Sequence, residues 1–263
     1  MRLPVIPRLL LDTKADIPYP PAQITIYQPS IKEIAYIGET NFLVGVNALC
    51  KNYLKLQDNL GLSQLTNFEI LMSIIREKEE QNKKIAEAVF QVLFLIFPHY
   101  KVGVTPAAII LQEEEQKQTH LIDKNNFDGF ADILYDMFCM IEAEGGHTED
   151  YNPIGDRARA LVEKFKKKHA YLAELNKERG QDSSLATVYG RYLNILAIGE
   201  RKDKNELKEY SVYQLIEEFK RFQLKETFDY TFRAKLAGAT KLKDAKDWMG
   251  DIHFGSQNDD NNE

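Results

Sequence analysis

Apolar residues return at three- and four-residue intervals through most of this chain, and the places where that rhythm stops divide it. From Thr66 onward, NFEILMSIIREKEE sets Phe68, Leu71, Met72 and Ile75 on one helical face. The most apolar window, IAEAVFQVLFLIF from Ile85 to Phe97, is interrupted by Glu87 and Gln91. It is shorter than the roughly 20 residues that cross a bilayer, so it predicts a core helix. After Pro98 the period changes. YKVGVT, AIILQ and THLID are short, β-branched and broken by Pro106 and the acidic run Glu113 to Gln118. They predict a small antiparallel hairpin or meander near residues 100–123. Asn125 and Asn126 then offer a cap to a helix whose apolar face is Phe127, Phe130, Leu134 and Phe138.

Upstream, residues 1–21 are rich in proline and predict an extended N-terminal arm rather than a regular element. Gln23 to Gln28 alternates as a strand, and Pro29 stops it. Ser30 with Glu33 fits a capping box, opening a helix that Gly38 ends, and a second helix follows around Asn41 to Lys55. Glycine, acid and proline between Glu142 and Pro153 mark a linker. The expected division is therefore an arm at 1–21, an N-terminal α+β region at 22–145, a C-terminal helical region at 146–254 and a disordered tail at 255–263. The C-terminal region opens with a long basic helix ended by Gly180, with Leu161, Phe165 and Leu172 toward the core. The expected fold class is mostly α (α+β): a helical, bundle-like protein with one small β element.

Aromatic residues concentrate between Ser184 and Ile252. Leu185, Val188, Tyr192, Ile195 and Leu196 build one stripe with Arg191 near its edge. Leu215, Ile216, Phe219 and Phe222 build another, with Tyr213, Arg221 and Gln223 toward its flank. Phe228, Tyr230, Phe232 and Leu236 carry the run on, but the first three alternate, and a helical period does not assign their faces. Trp248, the single tryptophan, needs cover from the preceding helices or from a partner. Core packing accounts for any one of these residues, while their density beside single arginines also suits a protein interface.

Charge and composition narrow the function classes. The net charge is -6, with 28% charged and 44% hydrophobic residues. That is ordinary for a folded soluble protein and argues against a broad phosphate-contacting surface, so no nucleic-acid partner is expected. Pro4 and Pro7 break the first apolar run, and no export signal or membrane partner is expected. Cys50 and Cys139 sit in apolar helical patterns and read as buried reduced thiols. The histidines are far apart and form no ligand pair. Asp128, Asp132 and Asp136 share a face, which reads as a solvated surface, and one rigid helix offers a hard cation too few converging oxygens. Lys164 and Lys166 to Lys168 read likewise as a solvated face. No GxSxG elbow, phosphate loop or dinucleotide fingerprint occurs. The expectation is a protein without catalytic residues, cofactor or metal.

The order NPIGDRARALVEKFKKKHAYLAELN, SLATVYGRYLNILAIG, YSVYQLIEEFKRF, RAKLAGA and DWMGDIH resembles the tail assembly chaperones of tailed bacteriophages that infect Gram-positive hosts. IYQPSIKEIAYIGETNFLVGV and HLIDKNNFDGFADIL are similar to the same group, so the likeness covers most of the chain after Ala22. The resemblance implies a protein of the infected host's cytoplasm that binds the tape measure protein, covers its apolar helices and yields to tail tube protein as the tube polymerises. It implies no catalytic residues. Expected partner contacts are Arg191, Tyr192, Tyr213, Gln214, Phe219, Arg233 and Trp248, and a homo-oligomer is compatible with them. The alternatives are a structural component of the virion, such as a tail or baseplate subunit, and an enzyme with a scattered site.

Overall fold

The computed structural model describes residues 6–50, 65–77, 79–113, 117–140, 188–238 and 248–249. The expected linker, the long basic helix with its lysine cluster, and the acidic tail lie outside these residues. The fold is mostly helical with two small antiparallel sheets, one of two strands and one of three.

The proline-rich start is more ordered than the expected arm. Arg8–Asp12 forms a short helix, α1, and Ile17–Tyr19 (β1) pairs with Ile24–Ile26 (β2) in a hairpin. Pro20 opens the 3-10 turn between the strands, where the missing N–H has no intrahelical acceptor to lose. Gln23 closes the turn at φ 54. What holds the segment down is its apolar set: Leu11, Ile17, Tyr19, Ile24 and Ile26 are buried. The buried amide of Gln28 also donates to the carbonyls of Leu10 at 2.8 Å and Ala15 at 2.6 Å. Proline frequency alone does not register either anchor.

Ile31–Ile37 (α2) starts at the expected capping box and stops at Gly38, whose φ of 83 suits only glycine well. Glu39–Cys50 (α3) follows. Asn67–Arg76 (α4) has a second reciprocal box between Thr66 and Glu69. Glu80–Ile96 (α5) is the predicted core helix and packs along α3. Gly45 makes that approach possible, because a Cβ there would stand 2.4 Å from the Ala88 carbonyl oxygen.

The predicted meander forms as Tyr100–Val104 (β3), Ala108–Glu113 (β4) and Thr119–Asp123 (β5). Val102 pairs with Leu111 and Ile109 with Ile122. Phe127–Met137 (α6) buries the predicted Phe127, Phe130, Leu134 and Phe138. Asn126 does not cap it through its side chain as expected. That amide instead accepts from Asp123 N at 2.8 Å and donates to the Leu121 carbonyl, closing the strand-to-helix turn. The aspartates at 128, 132 and 136 are exposed, and Asp128 accepts from Asn67 at 3.0 Å. Among the described residues no group of acids, histidines or cysteines could hold a metal ion. Among the same residues no helix is long and apolar enough to cross a membrane. The chain ends its described part with Val188–Gly199 (α7), Lys204–Leu207 (α8) and Val212–Leu236 (α9).

Glu33 gives the fold a pH dependence. Burial works to raise its pKa. The Ser30 hydroxyl and backbone N–H, the Tyr27 hydroxyl and Lys14 outweigh burial, and the net shift is downward. A depressed carboxyl stabilises the folded state above its ordinary range, and that contribution disappears as pH falls through the folded value. Thermal melts of wild type and Glu33→Gln should therefore differ most at neutral pH and converge below about pH 4. A gap that stays constant with pH would remove Glu33 from the account.

Candidate partner-binding surface

α9 begins in the core and ends in solvent. At its start, Ser211 Oγ accepts from Gln214 N at 3.2 Å while Gln214 Oε1 accepts from Ser211 N at 2.9 Å. Ser211 pairs with Ser30 in an antiparallel bridge, so the capped starts of α2 and α9 lie side by side. Ile31 N donates to the Tyr210 carbonyl and Lys32 N to that of Lys208, each at 2.9 Å. Gln214 Nε2 also donates to the Asp12 carbonyl at 2.7 Å, and Arg8 reaches Glu217 at 3.1 Å, tying α9 to α1.

α7 is fixed from a distance. Its first N–H groups have no acceptor within the helix, and the buried Glu39 carboxylate supplies one, accepting from Val188 N at 2.6 Å and Tyr189 N at 3.2 Å. The negative charge also faces the positive end of the α7 dipole. α7 then packs on α9: Tyr192 stacks on Phe219 with ring centroids 3.9 Å apart and planes 15° from parallel, and the Phe222 ring lies over Gly199.

Beyond Phe219 no residue of α9 is buried. Leu224, Phe228, Phe232 and Leu236 follow at four-residue spacing, which keeps them on one slowly turning ridge. Phe228, Phe232 and Leu236 are 37%, 56% and 74% exposed, and the two phenyl rings lie parallel at 6.4 Å. Tyr230, two residues on from Phe228, points away from that ridge by helical geometry and is also exposed. This stripe is the apolar surface that the alternation of aromatics hid in the sequence. Setting Tyr230 aside and testing a period of four would have found it.

Of the residues expected to contact a partner, the structure brings Tyr192 and Phe219 together and sets Gln214 and Trp248 on one cleft, but it does not gather the set on one surface. Tyr192 and Phe219 spend their faces on each other, and Gln214 serves the cap and α1. Tyr213, expected on the flank, is buried in the first turn of α9, the helix against which α1 packs. Val188, expected in the α7 stripe, is exposed, and its neighbour Tyr189 turns inward against Phe42 instead. Arg191 and Arg233 are exposed. Trp248 is half-buried, and its carbonyl accepts from Arg221 Nη1 at 3.0 Å.

An open cleft of about 440 Å³ lies beside these residues, lined by Asp12, Tyr210, Glu217, Glu218, Arg221 and Trp248 among others. Ion pairs take up its charges: Arg8 and Arg221 meet Glu217, and Lys202 meets Glu218. Burial opposes the Lys202 charge, but Glu218 outweighs it and holds the ammonium pKa above its usual range. Burial also pushes the Cys139 thiol up to about 12 and raises that of Cys50. Both sulfurs are free and remain thiols at neutral pH rather than nucleophilic thiolates.

The family model described as YomV second domain matches residues 190–253. This is a phage-associated family, YomV being a Bacillus phage gene, and the matched stretch contains the whole exposed ridge of α9. No curated protein and no solved structure matches the chain.

Proposed function

We propose that this protein is a phage tail assembly chaperone that acts by binding, without catalysis, in the cytoplasm of the infected bacterium. Its clients are the tape measure protein and tail tube subunits. The observation that carries this reading is the ridge of Phe228, Phe232 and Leu236, left open to solvent beyond the half-buried Leu224 inside a segment matched by a phage-associated family. A long amphipathic client awaiting its tube exposes apolar stripes of its own, and a helix offering a matching stripe can mask them reversibly. The resemblance of its motif order to tail assembly chaperones supports the same reading.

Co-expression with the tape measure gene of the same genome should keep that protein soluble. The double substitution Phe228→Glu and Phe232→Glu should weaken its retention by at least roughly tenfold, since a charge would have to be buried in the contact. The variant's own melting curve should stay unchanged, because both positions face solvent. Equal precipitation of the client with and without the wild-type chain would end the proposal. Mass spectrometry of purified particles separates it from a virion subunit, which would be present in many copies.

A further inference from the structure

We propose that His120 and Glu113 form a proton-operated latch that seats the first hairpin on the three-stranded sheet. The latch is tight when the imidazole carries two protons and loose when it carries one.

His120 is buried on β5, where the turn of the hairpin meets the sheet. Its Nδ1 lies 3.1 Å from the Ala22 carbonyl oxygen. A carbonyl only accepts, so in the neutral ring the single proton sits on Nδ1 and Nε2 keeps a bare lone pair. Among the described residues Nε2 makes no hydrogen bond, and Glu113 Oε1 stands 3.4 Å from it. An ionised carboxylate also only accepts, so the neutral ring sets lone pair against lone pair in a buried site. A second proton turns that contact into a charge-assisted hydrogen bond and gives both ring nitrogens a partner. The ring then joins the end of β4 to the hairpin turn.

The sheet register holds these groups in place. Leu111 pairs with His120, and Glu113, two residues along β4, projects on the same face. Tyr100, paired with Glu113 from β3, sets its ring edge-on to the imidazole at 6.1 Å. Glu113 and Tyr100 are the ionisable groups that face the ring from β4 and β3. The turn Pro20–Ala22 carries none, and Asp128 of α6, the helix after β5, is engaged by Asn67. The Tyr100 hydroxyl also accepts from Thr25 N at 3.4 Å, a second tie between hairpin and sheet that does not depend on the proton. The hairpin continues from α1, which braces the start of α9 through Arg8 and Asp12, so a loosened latch slackens that brace.

Amide hydrogen exchange of the full chain at about pH 8 and about pH 5.5 tests this, both being above the range below about pH 4 in which Glu33 acts. Rates at Ile24 and Ile26, which pair with β1, are corrected for intrinsic exchange and divided by the change at Leu93 in the core of α5, so that global stability cancels. Relative protection of the hairpin should rise at least about fivefold at the lower pH. In Glu113→Gln the carboxamide can donate to the neutral ring, and the rise should shrink below about twofold. His120→Gln should abolish it. If that buried variant fails to fold, Glu113→Gln, at a partly exposed position, decides alone. Equal protection of the wild-type hairpin at both pH values overturns the proposal, and so does a rise that Glu113→Gln leaves unchanged.

Discussion

Phe42→Ala is expected to cost about 3–5 kcal/mol of folding stability, the usual range for removing a phenyl ring from a closed core. Phe42 is fully buried and stands where three helices meet. It belongs to α3, Phe138 at the end of α6 meets its ring edge at 4.9 Å and 89°, and Tyr189 of α7 lies at 6.4 Å. Rings in that geometry contribute about 0.5–1.5 kcal/mol beyond area burial, so truncation loses contact with two partners as well as leaving a cavity. Urea denaturation followed by far-UV circular dichroism measures the loss. The near-UV signal should weaken as well, since α7 leans on this ring. A loss below about 1 kcal/mol would mean that neighbours collapse into the space and that Phe42 does not join the helices as described.

Gly45→Ala should destabilise by about 1–3 kcal/mol, although helix propensity points the other way. Alanine in place of glycine within a helix is ordinarily favourable by about 1 kcal/mol. At this site, however, the added methyl would meet the Ala88 carbonyl oxygen at 2.4 Å and Val92 Cγ2 at 2.7 Å. Backbone cannot rotate out of the way as a side chain can, so α3 and α5 must part, and the overpacking exceeds the propensity gain. Gly199 provides the internal comparison. The methyl of Gly199→Ala would first meet the ring of Phe222, a half-buried side chain rather than backbone. Chemical denaturation of the two variants should rank Gly45→Ala clearly below Gly199→Ala, and the reverse order would refute the close-approach account.

The parts of this fold that were legible beforehand are those whose determinants are near neighbours in the chain. Ser30 with Glu33, and the four-residue return of Phe127, Phe130 and Leu134, need only local spacing to declare themselves, and the change from helical to alternating period after Pro98 marks the meander. What failed depended on distant partners or on phase. The hydrogen bonds from Gln28 that fasten the first helix join residues 13 and 18 apart, and proline content gives no hint of them. Val188 and Tyr189 are adjacent apolar residues at a helix start, where one residue of phase decides which is inside, and Glu39 settles it from 149 residues away. The aromatic concentration near the C-terminus was visible as composition, but its division into inward Tyr213 and Phe219 and outward Phe228 and Phe232 follows from where α7 and α1 end against α9.

The Glu39 contact also bears on modularity. The stretch of family likeness begins at residue 190, just past the two N–H groups that the carboxylate holds. During synthesis α3 has left the ribosome long before Val188 appears, so the acceptor stands ready when α7 emerges. The N-terminal half thus supplies the acceptor on which the first described turn of α7 rests.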